Sequence, residues 1–251
     1  MRKVGIVIFD MDDTLVDKET VFVEAQKTML QTMAEHDPRI DPDKDLGILR
    51  EIDHELVRLH GGKHAYKSWK LAEALWLHYH EGKGRLEAAT LAFKLKKSNV
   101  EHSCITKAAK RHDNILENRI PRLINGAKEV LRELKKKYVL VLFPSGKEKS
   151  QQKVIKHLGL DKIFDVIFIC EVKNASAFLK AKRRGEEVLS KAAGKSKRIV
   201  MIGDRISQDI IPAKEVGLET IWIPGPYFPG NRQEGMPDHE ISSLCELLKL
   251  L

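Results

Sequence analysis

Two kinds of apolar periodicity divide the chain. Ile6-Val7-Ile8-Phe9 is an unbroken apolar run rich in β-branched residues, the pattern of a strand buried on both faces, and it breaks at once into Asp10-Met11-Asp12-Asp13. From Asn125 onward, short apolar runs alternate with amphipathic stretches. Helices are predicted over 127–137, 148–158, 185–193 and 207–216, and strands over 138–143, 165–170, 198–202 and 218–223. This alternation predicts an α/β fold, a doubly wound Rossmann-like parallel sheet, with the Pro/Gly-rich stretch 224–230 as a loop at one edge.

Between residues 17 and 119 the period changes to three and four, which is helical. Phe22, Ala25, Met29 and Met33 form one stripe, ending near Asp37-Pro38. Ile48, Ile52, Leu56 and Leu59 form a second, ending at Gly61-Gly62, with Asp41-Pro42 as its predicted start. A third carries Tyr66, Trp69, Ala72 and Trp76 beside His64, His78 and His80. Aromatic residues at helical spacing predict core packing, while the pair His78 and His80 offers contact to an anion. The order of segments predicts two domains: a core from 1–17 with 120–251, and an all-α domain from 18–119 inserted after the first strand.

Composition narrows the function classes. In 251 residues no apolar run approaches the roughly 20 needed to cross a bilayer, and the basic start is followed by too few apolar residues for a signal peptide. Cys104, Cys170 and Cys245 are far apart, without metal-site or redox spacing, so a cytoplasmic location is expected. A net charge of +8 suits anionic small molecules by steering, but is a weak argument for nucleic acid, and a nucleic-acid partner is not expected.

The candidate chemistry lies where strands end in carboxylates, since ligands of open parallel sheets bind at the carboxyl ends of the strands. Asp10-Met11-Asp12-Asp13-Thr14-Leu15 and, after the second such strand, Gly203-Asp204-Arg205-Ile206-Ser207-Gln208-Asp209 resemble the first and last signature motifs of the haloacid dehalogenase superfamily, in its phosphatase branch. The resemblance covers the opening strand and nearly everything from Pro121 onward, whereas the intervening segment matches as a helical insert.

By that resemblance, Asp10 is the nucleophile that forms an aspartyl-phosphate, and Asp12 protonates the leaving group and then activates water. Aspartate at the second position selects the phosphatase and phosphomutase branch. The resemblance also implies Mg²⁺ held by Asp10, the backbone carbonyl of Asp12 and Asp204, with Asp209 orienting from outside. Asp13 and Thr14 are expected to stabilise the turn. The family's phosphate-binding lysine is expected at Lys180, which lies 23 residues before Gly203, with Lys173 and Lys182 as the other candidates. In the phosphate-binding turn Pro144 stands where the family has a hydroxyl, which shifts substrate binding to Ser145 and the amides of Ser145 and Gly146.

These expectations describe a Mg²⁺-dependent phosphatase of a small soluble phosphate monoester, its helical insert acting as a cap. A phosphomutase using the same aspartates and a catalytically weak regulatory binding protein are the alternatives. Neither the natural substrate nor the oligomeric state is legible in the sequence.

Overall fold

The computed structural model describes residues 3–61, 66–96, 103–192, 198–226 and 230–251. Gly62, His64, the end of the predicted 185–193 helix and residues 227–229 of the predicted loop lie outside them. The chain divides into two compact units, one formed by Met1–Glu19 with Ile120–Leu251 and the other by Thr20–Arg119.

The strands in chain order are β1 (Gly5–Phe9), β2 (Val16–Asp17), β3 (Arg122–Leu123), β4 (Tyr138–Leu142), β5 (Val166–Ile167), β6 (Arg198–Gly203), β7 (Glu219–Trp222) and β8 (His239–Glu240). The principal helices are α1 (Lys18–Ala34), α2 (Leu46–Leu59), α3 (Trp69–His80), α4 (Arg85–Lys94), α5 (Ser103–Asn118), α6 (Ala127–Lys137), α7 (Glu148–His157), α8 (Ala175–Lys191) and α9 (Ile211–Glu215).

In the first unit six strands form one sheet in the order β5-β4-β1-β6-β7-β8, and every adjacent pair is parallel. Side-chain alternation along β1 explains its unbroken apolar run. Val7 and Phe9 pack with Leu131 and Leu134 of α6 and Ile155 of α7, whereas Ile6 and Ile8 pack with Phe178, Ala181 and Leu189 of α8. The segments that leave and re-enter this unit are tied together: β2 pairs antiparallel with β3, Val16 opposite Leu123, and Ile124 donates its N–H to the Leu15 carbonyl at 2.9 Å.

Two helices of the first unit differ from the sequence expectation. α8 begins at Ala175 instead of 185, because Asn174 caps it by accepting the Ala177 N–H at 2.9 Å. Gly185, read as a boundary, is interior to α8 and brings it against the sheet. A Cβ there would stand 3.0 Å from Ile6 Cγ2 and 3.1 Å from Val141 Cγ2. The predicted 207–216 helix is a π-helical turn over Ile206–Ile210 followed by α9. Pro212 has no N–H to offer the preceding turn, and the wider π turn precedes it. The edge strand β5 pairs regularly over only two residues, then continues as single bonds: Phe168 N–H to Leu142 O at 2.9 Å and Cys170 N–H to Pro144 O at 3.2 Å.

The second unit comprises helices around a core of Met29, Leu30, Leu49, Ile52, Leu56, Leu71, Leu75, Ala88 and Ile105. Tyr66, Trp69 and Trp76 are half-buried against that core, as packing residues. Asp41 accepts the N–H groups of Asp43 and Lys44 at 3.0 and 3.2 Å and so caps a separate turn, while α2 itself starts at Leu46. The two histidines are engaged by protein groups: His80 Nε2 lies 3.0 Å from Asp37 Oδ2, and His78 Nδ1 lies 2.7 Å from the Lys83 carbonyl.

The close approach at Gly185 yields a stability prediction. Gly185→Val should force α8 away from Ile6 and Val141 and cost about 1–3 kcal/mol, read as a lower denaturant midpoint with unchanged slope. An unshifted midpoint would show that the helix tolerates a looser seat.

Candidate active site

Three loops reach the carboxyl edge of the sheet together because β4, β1 and β6 are central parallel neighbours. Phe9 is in register with Leu142 on one side and Ile202 on the other, so Asp10, Pro144-Ser145 and Asp204 leave the sheet at the same level. The Asp10 N–H donates to the Ile202 carbonyl at 2.9 Å, which continues the ladder one residue past β1 and fixes the Asp10 backbone.

Asp10, Asp204 and Asp209 are buried, each with a carboxylate oxygen within 4.8 Å of the others. The Lys173 ammonium contacts Asp10 Oδ1 and donates to Asp209 Oδ1 at 2.6 Å, with its side chain only 1% exposed. The expected lysine, Lys180, is exposed on α8, whose inward positions are taken by Ala177, Phe178 and Ala181. Of the three candidate lysines, Lys173 is the one whose ammonium meets Asp10. α8 starts at Ala175, which leaves Lys173 just before the Asn174 cap. Lys182 is likewise on α8, beyond the cap.

Electrostatics follow from burial. Desolvation raises the Asp10 carboxyl above the usual carboxylate range against the pull of Lys173. Asp204 is pushed well up by burial and then by the charges of Asp10, Asp209 and Asp13, with Arg205 opposing. For Lys173 burial disfavours the charge, but Asp10 and Asp209 outweigh it and hold the ammonium above the ordinary lysine range. One buried ammonium therefore does not balance three buried carboxylates. The uncompensated charge, in oxygen donors, is what a hard divalent cation such as Mg²⁺ would neutralise.

The Asp204 loop is held by partners that the motif alone does not reveal. Trp222 Nε1–H donates to the Asp204 carbonyl at 2.7 Å. Gly225 leaves space for the carboxylate, since a Cβ there would lie 2.5 Å from Asp204 Oδ2. Gly203 does the same for Asp209, whose Cβ and Cγ would stand 2.4 Å from an added Cβ. Asp209 Oδ2 accepts the Arg205 N–H at 3.0 Å, so both of its oxygens are engaged by protein donors. Asp13, at φ 57°, accepts the N–H groups of Lys18 and Glu19 at 2.9 Å each and caps α1, as expected of a turn residue.

The turn after β4 departs from expectation at one atom. The Gly146 N–H donates to the Cys170 carbonyl at 2.8 Å, so this amide is used by the sheet and is not offered to a phosphate. The hydroxyl and N–H of Ser145 are not among the groups engaged in that bridge. Gln151 on α7 was not singled out from sequence. It is buried, and its Nε2 donates to the Ser145 carbonyl at 2.7 Å and to Asp12 Oδ2 at 3.1 Å.

Residues 4–217 match the haloacid dehalogenase-like hydrolases. The chain belongs to that family and is a hydrolase, and the resemblance carried by the two aspartate motifs is correct. Among its relatives, a glyceraldehyde 3-phosphate phosphatase of Pyrococcus furiosus is 27% identical over 258 aligned residues, covering 100% of this chain and 94% of its own. The putative hydrolase YfnB of Bacillus subtilis is 25% identical, with 100% and 97% covered. A crystal structure of YfnB, described as bound to magnesium and revealing interdomain movement, has a TM-score of 0.67 at 20% identity, covering 100% of this chain and 99% of that one. A haloacid dehalogenase-like family hydrolase of Xanthomonas campestris has a TM-score of 0.62 at 19% identity, covering 100% and 95%. Among the described residues no helix is long and apolar enough to cross a membrane.

Replacing the buried lysine tests the charge balance. Lys173→Met should leave Asp10 and Asp209 facing each other uncompensated and destabilise the metal-free protein by about 3–5 kcal/mol. Added Mg²⁺ should recover part of that loss in thermal unfolding, and a variant as stable as the parent would contradict the pairing.

Proposed function

We propose that this enzyme is a Mg²⁺-dependent phosphatase that hydrolyses a small phosphate monoester through an aspartyl-phosphate on Asp10. The observation that carries the reading is the contact of the Lys173 ammonium with Asp10, beside Asp204 and Asp209 at the carboxyl edge of the sheet. Phosphoryl transfer to a carboxylate requires an aligned nucleophile and neutralisation of the anion it attacks. Lys173 orients the Asp10 carboxylate through Oδ1 and contributes positive charge where the phosphate would sit. Asp10, the Asp12 carbonyl and Asp204 would hold Mg²⁺, with Asp209 fixing Lys173 and the loop around Asp204. When bound, the cation offsets repulsion between these carboxylates and the substrate and polarises the phosphoryl group.

In the first displacement an Asp10 oxygen attacks phosphorus as the bond to the leaving oxygen breaks, and Asp12 supplies the proton that the leaving alkoxide needs. In the second, Asp12 takes a proton from the water that attacks phosphorus, releasing inorganic phosphate and restoring Asp10. Residues 18–119 form the helical insert, and the paired segments β2 and β3 hold together the places where the chain leaves and re-enters the core. The relatives named as glyceraldehyde 3-phosphate phosphatases make that triose phosphate the first ester to assay.

Release of inorganic phosphate from a panel of sugar phosphates, triose phosphates and nucleoside monophosphates tests the function. Activity should vanish on chelation, return with Mg²⁺, and be lost in Asp10→Asn without loss of fold. Full turnover by that variant would assign the attack elsewhere. Ser145→Ala tests the replacement at Pro144. If the Ser145 hydroxyl binds the phosphate in place of the family's residue, its loss should lower kcat/KM about ten- to a hundred-fold, and a change below about threefold would assign binding to backbone amides.

A further inference from the structure

Gln151 is a buried amide at the boundary of two loops whose tasks differ. Its Nε2 lies 2.7 Å from the Ser145 carbonyl and 3.1 Å from Asp12 Oδ2. A backbone carbonyl only accepts, so the atom facing it must be the amide nitrogen, and the orientation of the Gln151 side chain follows from chemistry. The two hydrogens of that nitrogen then meet two acceptors, one in the turn after β4 and one on the side chain of Asp12. α7, which carries Gln151, packs through Val154 and Ile155 on the sheet face that holds Val7 and Phe9. The amide is therefore held by a helix anchored in the core.

Gly146 completes the arrangement. Its φ of 131° belongs to the region that favours glycine, and a Cβ there would stand 3.1 Å from Gln151 Nε2. The residue that shapes the turn also leaves room for the amide to reach Asp12.

We infer that Gln151 is a positioning residue that sets the orientation of the Asp12 carboxyl and ties it to the Ser145 turn. The inference rests on the phosphatase reading, in which Asp12 moves the proton to and from the reacting oxygens. By donating to Oδ2, Gln151 leaves Oδ1 as the oxygen turned toward the reaction. By donating also to the Ser145 carbonyl, it keeps the distance between the acid–base group and the phosphate-binding turn constant while substrate is exchanged.

The role predicts a signature that a merely structural residue would not give. Gln151→Met keeps length and burial but removes both donated hydrogens, and Gln151→Leu serves the same purpose if the first variant folds poorly. With an alkyl phosphate, whose leaving alkoxide needs a proton, kcat should fall about tenfold or more with little change in KM. With an aryl phosphate bearing an electron-withdrawing group, whose leaving group departs unprotonated, aspartyl-phosphate formation measured as a pre-steady-state burst should fall less than about twofold. Gly146→Ala should show the same divergence, since its Cβ crowds the amide. Equal losses with both esters, or none, in the folded variants would overturn the inference while leaving the phosphatase reading intact. Absence of phosphate release by the parent enzyme from any ester would instead remove the reading on which it rests.

Discussion

The Lys173 ammonium, buried between Asp10 and Asp209, is the interaction on which the remainder of the site depends. Removing a lysine and three carboxylates from water is costly, and the cost is met only where opposite charges and hydrogen bonds converge closely. The parallel sheet provides that convergence. β1 and β6 run side by side, so that Asp10 and the Asp204 loop emerge together, while the β5 edge delivers the chain to Lys173 just before α8 begins. The glycines at 203 and 225 are required for the same reason, because side chains there would occupy the space of Asp209 and Asp204.

Three buried carboxylates remain against one ammonium after Lys173 is counted. Asp204 is raised by burial and by neighbouring carboxylates, a penalty on its charged form that a divalent cation beside it would relieve. A site neutralised fully by protein groups would bind its own carboxylates well and a phosphate dianion poorly. In the proposed function, Mg²⁺ would supply two positive charges beside these carboxylates and the phosphate.

Much of this was legible in the sequence, and the parts that were not have physical reasons. Apolar runs with β-branched residues identified β1, β4, β6 and β7, and the two aspartate motifs identified the family. Two-residue strands such as β2, β3 and β8 have no period to detect. Lys180 was favoured over Lys173 on its 23-residue separation from Gly203, a count that cannot show which side chain the fold turns toward Asp10. Gly185, read as a helix boundary, is needed inside α8 for close packing on Ile6 and Val141. Gln151 has no sequence signal at all. It resembles any polar residue of an amphipathic helix until the fold brings Asp12, 139 positions away in the chain, to its amide. Gly146 was legible as a turn glycine, but its N–H is spent on Cys170, a pairing that only the sheet edge determines.

The claim that joins fold, charge and chemistry is that the Asp10 carboxylate becomes covalently phosphorylated. An acyl phosphate, unlike a free carboxylate, is reduced by borohydride to an alcohol, which converts aspartate to homoserine. Quenching the enzyme during turnover of a phosphate monoester with Mg²⁺, treating it with borohydride and sequencing its peptides by mass spectrometry should show homoserine at position 10. Turnover that leaves Asp10 unmodified, or that places the modification on another residue, would contradict the account.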